Sequence, residues 1–282
     1  MGARRLNGGL PDLRFCGIKE GILLYKYTPC EQQRPGSVKH LRKEKHTKMK
    51  HTGIKHTEYA ESTESRQGKK LPYPVILASA SPRRREILNQ IGIEPTVMPG
   101  NLEEQVTSER PDEVVMELSA QKAEHVYNMC RKDRENGSFI VIGSDTVVAA
   151  GGKILGKPGN EEEAREMIRL LSGNVHQVYT GVTLIRGDRK ITFAEKTEVS
   201  VWPMTEEEIE DYIAFHGSED DGESEENPGK PRHEWEDKAG GYGIQGSFAK
   251  FIREIHGDYY NVMGLPASRT YQELKRISEE RL

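Results

Sequence analysis

Residues Val75–Leu88, VILASASPRRREIL, admit few local structures. Val75–Ala78 reads as a buried strand, Ser79-Ala80-Ser81 as a turn of small residues, and Pro82 as the first residue of a helix with Ser81 as its N-cap. Arg83, Arg84 and Arg85 then fall in the first helical turn, where the N-terminus already carries partial positive charge and unpaired N–H groups. An anion docked at this spot would offset that cost. Three solvated arginines, or one paired with Glu86, would account for it equally well. The motif therefore poses a question about phosphate that the rest of the chain must answer.

The 282 residues are polar for a folded protein, with 34% hydrophobic and 30% charged residues and a mean hydropathy of -0.74. No apolar run approaches the ~20 residues of a membrane span, and Met1–Leu10 lacks a signal-peptide core. Cys16, Cys30 and Cys130 are odd in number and widely spaced, suggesting neither a disulfide framework nor a zinc site, and a reducing, cytoplasmic setting fits them. The net charge of -4 hides an asymmetry. Residues 1–70 hold 16 Lys and Arg against 7 Asp and Glu, a balance of +9 that leaves -13 for the remainder. This places a join near residue 70, between a basic extension (1–70) and a folded domain (71–282). The extension, densest in Lys, Arg and His over His40–His56, is expected to be largely disordered apart from Gly21–Tyr27. A solvated tail, a nucleic-acid arm and a basic targeting segment are its open readings.

Beyond Pro74 the texture becomes that of an α/β fold. Glu94–Met98 is a candidate strand, and the loop after it carries Glu103-Glu104, a pair that could hold a divalent cation or simply be surface chemistry. A helix is expected from Pro111 to about Arg131, with Lys122 inside it. Phe139–Gly143 is a second apolar run leading into Ser144-Asp145-Thr146 and Val147–Ala150. An aspartate inside such a run is costly to bury unaided, so Asp145 is expected to serve as a metal ligand or proton acceptor, unless neighbouring N–H groups satisfy it at a bend.

Gly151-Gly152 turns the chain into a strand Lys153–Lys157, and Asn160 caps a helix whose first turn is Glu161-Glu162-Glu163. That helix obeys the dipole rule that Arg83–Arg85 break. Val175–Arg186 and Lys190–Val201 read as a hairpin, and Thr205-x-x-Glu208 as a capping box opening the helix Glu206–Phe215. Gly217–Glu236 is expected to be an acidic disordered insert. Then comes DKAGGYGIQG at 237–246, whose glycines suit a loop that lets backbone approach a ligand, with Lys238 and the amide of Gln245 within it. Phe248–Ile255 is a further apolar segment, and a last amphipathic helix runs over about Ala267–Glu280. No GxxxxGK[ST] loop occurs and no GxGxxG follows a strand, so phosphate binding must use another scheme.

The blocks ASASPRR (78–84), SDTVV (144–148), GKP (156–158), DKAGGYGIQG (237–246) and GLP (264–266) together resemble the Maf family of nucleoside-triphosphate pyrophosphatases, first connected with septum formation. The resemblance covers about Pro74–Ile277. It implies an elongated mixed β-sheet flanked by helices, two lobes with a central cleft, and a homodimer. It also implies hydrolysis of a nucleoside triphosphate to the monophosphate and diphosphate with a divalent cation, Mg2+ or Mn2+. On this resemblance Asp145 matches the proton acceptor and Glu104 an acidic residue of the metal and catalytic site, the two together being the candidate metal ligands. Lys122 and Lys157 match cations of the phosphate site, and Ser79, Arg83 and Lys238 join them as substrate-binding candidates. Arg84, Thr146 and Gln245 match positions associated with base selection. The motif set resembles the dTTP/UTP branch rather than the 7-methyl-GTP branch, which typically has Trp at the position of Arg83 and Gln at that of Thr146. The alternatives are an enzyme of that other base preference, or a non-catalytic nucleotide-binding regulator of cell division.

Overall fold

The computed structural model describes Leu13–Lys19, Ile22–Tyr27 and residues 71–132, 134–215 and 232–279. The chain divides into two compact units, Met1–Thr63 and Glu64–Leu282. In the first, β1 (Leu13–Lys19) pairs antiparallel with β2 (Ile22–Tyr27). β2 falls within Gly21–Tyr27, the piece excepted from the expected disorder, whereas its partner β1 lies in sequence expected to be disordered. The basic stretch His40–His56 and most of the acidic insert lie outside the described residues.

The second unit is built on a seven-stranded mixed sheet. In chain order its elements are β3 (Val75–Leu77), α1 (Pro82–Gln90), β4 (Thr96–Val97), α2 (Pro111–Cys130), β5 (Ile140–Ala150), β6 (Lys153–Leu155) and α3 (Glu161–Leu171). They continue with β7 (Val175–Arg186), β8 (Arg189–Val201), α4 (Glu206–Ala214), β9 (Ile252–His256), α5 (Tyr259–Met263) and α6 (Ala267–Glu279). The strand order is β4-β3-β5-β7-β8-β9, with β6 added to the far end of β5. β3 runs parallel to both β4 and β5, and the long β5–β7–β8 meander is antiparallel.

The apolar runs at 75–78 and 139–142 carry no polar alternation because both faces of the sheet are covered. Val75, Leu77, Ile140 and Ile142 face a core shared with α1, α3, α4 and α6. Ile76, Ala78, Phe139 and Val141 face α2 through Ala123, Val126 and Tyr127. α2 lies against the sheet because two glycines let it. A Cβ at Gly181 on β7 would sit 2.0 Å from the Val115 carbonyl oxygen, and one at Gly143 on β5 would sit 2.2 Å from that of Ser119. No side chain fits either position, and this close approach sets how far Lys122, on the next turn of α2, can reach over β5.

The helix N-termini differ in whether a side chain caps them. Asn160 accepts the Glu163 N–H at the start of α3, and Thr205 and Glu208 form a complete capping box on α4. Ser81 is the N-cap residue of α1, but its hydroxyl makes no capping bond. Its backbone N–H instead donates to Ser79 Oγ, so the N-terminus of α1 is left open. The segment Lys153–Lys157 is a strand only to Leu155, and Phe248–Ile255 divides into a 3-10 turn (Ser247–Phe251) and β9. Arg232–Glu236, assigned to the acidic insert from composition, are part of the fold. Glu234 and Trp235 are buried, and the Trp235 indole donates to the Ile213 carbonyl.

Candidate active site

A cleft of about 1140 Å3 opens over the middle of the sheet. Its floor is β5 at Asp145–Val148, and its walls are the turn 78–84, the loop 99–104 and the glycine-rich segment 237–246. All ten residues singled out from the sequence line it: Ser79, Arg83, Arg84, Glu104, Lys122, Asp145, Thr146, Lys157, Lys238 and Gln245. That volume suits a nucleotide-sized ligand.

On the floor, the Lys122 ammonium meets Asp145 Oδ1 directly and Glu104 Oε1 at 3.0 Å. Lys122 is thus no solvent-facing helical lysine, and Asp145 is not merely satisfied by backbone N–H groups. Its carboxylate and that of Glu104 converge on one point, from β5 and from the loop after β4. Of the adjacent acids, Glu103 is exposed and stays outside the cleft lining. Among the described residues no three His, Cys, Asp or Glu side chains gather. Two converging carboxylates nevertheless fit Mg2+, which is commonly held by one or two carboxylates while substrate phosphates and water complete its shell.

The three arginines of α1 separate. Arg85 is exposed. Arg83 Nη1 pairs with Asp237 Oδ2 at 3.2 Å, and Lys238 Nζ meets Asp237 Oδ1 at 2.8 Å. Burial tends to raise the Asp237 pKa, but the neighbouring Arg83 and Lys238 charges outweigh it and hold the carboxyl below its ordinary value. Arg84 ties three segments together. Its Nε donates to Gly264 O at 2.9 Å, Nη1 to Ser79 Oγ at 2.9 Å and Nη2 to Thr146 Oγ1 at 3.1 Å. Burial lowers the Arg84 pKa from its very high ordinary value, partly countered by the Asp145 charge. Ser144 Oγ donates to the same Gly264 carbonyl at 3.0 Å. The GLP turn is thereby clamped to both α1 and β5, at a glycine whose φ of 112° other residues rarely adopt.

Ser79 Oγ accepts from both the Ser81 N–H and Arg84 Nη1. With its lone pairs engaged, its own proton is free to point at a ligand. The open α1 N-terminus, this hydroxyl, Arg83, Arg84, Lys122, Lys157 and Lys238 make the cleft a site for a polyanion with several negative charges. Asp237, Glu234, Thr180, Gly143 and Gly181 were not identified from the sequence. Asp237 opens the DKAGGYGIQG block, where sequence alone attaches no role to it, and the glycines inside strands are the available signal for close helix packing.

Two carboxylates on the floor of a cation-rich cleft in an α/β sheet define a polyanion-binding class of site, suited to phosphate groups. Residues 74–277 match the family model of Maf-like proteins. Similar proteins include the dTTP/UTP pyrophosphatase of Agathobacter rectalis, 49% identical over 215 residues that cover 72% of this chain and 97% of that protein. That of Bacillus thuringiensis is 44% identical over 205 residues, covering 72% of this chain and 95% of the relative. The chain belongs to the Maf family.

Proposed function

We propose that this chain hydrolyses pyrimidine nucleoside triphosphates, dTTP and UTP foremost, to the monophosphate and pyrophosphate. The observation that carries this reading is the convergence of Asp145 and Glu104 at Lys122, on the floor of a cleft whose other wall is the arginine turn. The named relatives support the substrate class.

In this reading the α-phosphate lies over Asp145. Asp145 orients a water molecule and takes its proton as the water oxygen attacks the α-phosphorus, and the α–β bridging oxygen leaves with pyrophosphate. Lys122 holds the Asp145 carboxylate in place. Arg83, Arg84, Lys157 and Lys238, with Ser79 as hydroxyl donor, neutralise the triphosphate and the departing pyrophosphate by fixed charges and dipoles. A divalent cation, Mg2+ or Mn2+, would be held by Glu104 and Asp145 and would supply further charge neutralisation on the phosphate oxygens. Gln245, exposed on the glycine-rich segment, and Thr146 would meet the base.

The catalytic unit in this proposal is 71–282 with 1–70 as an extension, acting in the cytoplasm as a homodimer. No helix among the described residues is long and apolar enough to cross a membrane. Contact of the basic extension with nucleic acid is a separate proposal, checked by a salt-dependent mobility shift that disappears when residues 1–70 are removed. For the catalytic assignment the test is Asp145→Asn. Pyrophosphate release should be lost while nucleotide binding, measured by calorimetry, persists. A variant with near wild-type turnover would remove Asp145 from the proton-accepting role.

A further inference from the structure

Thr146 is adjacent to Asp145 on β5 and lines the cleft, but the direction of its hydrogen bonds is decided by its neighbour across the sheet. Thr180, fully buried on β7, is paired with Thr146 in the sheet register. Thr180 Oγ1 lies 2.9 Å from the Asn261 carbonyl oxygen and 2.9 Å from Thr146 Oγ1. A carbonyl oxygen can only accept, so the single Thr180 proton belongs to Asn261, since two bare oxygens at that separation would repel. Thr180 must then accept from Thr146. The Thr146 proton is thereby committed inward, and one of its lone pairs accepts from Arg84 Nη2. What remains for the cleft is a lone pair. Asn261 is itself fixed, with its amide nitrogen donating to Val178 O at 3.1 Å and Thr197 Oγ1 at 3.0 Å.

The cleft therefore shows two hydroxyls of opposite polarity on the two sides of one guanidinium. Ser79 has a proton to give, which suits a phosphate oxygen. Thr146 presents an acceptor, which repels phosphate oxygens and demands a donor. Arg84 retains one N–H on each terminal nitrogen, so beside the Thr146 acceptor stands a donor. An adjacent donor and acceptor match the carbonyl and N3–H edge of uracil or thymine. In the register that sets Thr146 against ring position 3 and Arg84 against the group on C4, cytosine opposes both, because it places an acceptor at N3 and an amino group on C4.

We propose that Thr180 is a specificity-positioning residue, which locks the Thr146 hydroxyl as an acceptor and so selects bases bearing N3–H over cytosine. This inference rests on the pyrimidine-triphosphate reading and deepens it. The new element is the buried residue, which touches no substrate and acts through Thr146. In Thr180→Val the shape is kept but the inward acceptor is gone. The Asn261 carbonyl retains the Gly264 N–H as a donor, and the Thr146 proton is released to the cleft.

The test is kcat/KM for UTP, CTP and N3-methyl-UTP with the full-length wild type, Thr180→Val and Thr180→Ser, alongside melting temperatures. In the wild type UTP should exceed both CTP and N3-methyl-UTP. In Thr180→Val the UTP/CTP ratio should fall by about tenfold or more, while Thr180→Ser, which keeps the hydroxyl, should preserve it. A purely structural role would lower both nucleotides together, and an unchanged ratio in a folded Thr180→Val overturns the inference while leaving the pyrimidine reading intact. If Thr180→Val does not fold, the wild type still decides: hydrolysis of N3-methyl-UTP as fast as UTP overturns the inference. A wild type that prefers purine triphosphates removes the pyrimidine reading, and the inference with it.

Discussion

Arg83, Arg84 and Arg85 show how three identical side chains at consecutive positions take different work. On a helix successive residues are rotated by about 100°, so only part of the first turn can face the cleft. Arg83 leans to Asp237, Arg84 reaches Ser79, Thr146 and Gly264, and Arg85 is exposed. Arg84→Ala should therefore lower kcat/KM by at least about a hundredfold, the scale of losing a preorganised charge donor. Arg85→Ala should leave it within about twofold, as a solvated surface charge would. Equal losses in the two variants, measured by steady-state pyrophosphate release, would contradict the division. A second residue contributes a pH dependence to stability. His176 is buried on β7 with Nε2 2.6 Å from the Tyr242 hydroxyl, and burial lowers its pKa from 6.5 to about 4. The unfolded chain takes up this proton first, so the contribution of His176 is complete above pH 6.5 and is lost as pH falls toward 4. The loss amounts to about 3 kcal/mol over that interval. Urea unfolding of wild type and His176→Gln at pH 7 and pH 4.5 should show the steeper fall in the wild type, and parallel falls would assign the pH dependence elsewhere.

At the scale of elements, the positions of α2 and β5 decide whether a site exists. Lys122 reaches Asp145 because Gly143 and Gly181 admit the α2 backbone onto the sheet. Gly181→Ala must push α2 outward by the width of a methyl group. A destabilisation of about 1–3 kcal/mol is expected from overpacking, together with a fall in kcat larger than the rise in KM, because the Lys122–Asp145 contact is loosened more than the arginine turn. An unchanged melting temperature and unchanged kcat would show that the helix is not held this way. Much of this level was legible in the sequence. Caps and turns at Asn160, Thr205 and Gly187-Asp188 act locally, so the elements they bound fall where the local chemistry puts them. β4 shrank to Thr96–Val97, and Arg232–Glu236 joined the fold, because both depend on distant partners. Trp235 is buried against residues remote in sequence, which a reading by charge density over Gly217–Glu236 could not register. In the same way the candidate residues were found by their motifs, but Thr180 and Asp237 were not. Their importance comes from a register across β5 and β7, and from a contact over 154 positions.

For the whole molecule, β3 runs parallel to β5 and stops at Leu77 opposite Ile142, so the turn after β3 and Asp145 within β5 meet in one cleft. The antiparallel continuation through β7 and β8 adds the buried polar layer of Thr180, Thr197 and Asn261 beneath it. The glycine-rich segment closes the cleft from a part of the chain about 90 residues beyond Asp145. Five separated sequence blocks thus become one cation-rich site, and membership of the Maf family extends over 74–277. Hydrolysis of UTP by the full-length protein in H2(18)O with Mg2+ tests the proposed chemistry most directly, because the label reports which phosphorus the water attacks. The expected result is (18)O in UMP and unlabelled pyrophosphate, with dTTP behaving alike. Label in pyrophosphate, or release of orthophosphate with UDP, would contradict attack at the α-phosphorus over Asp145.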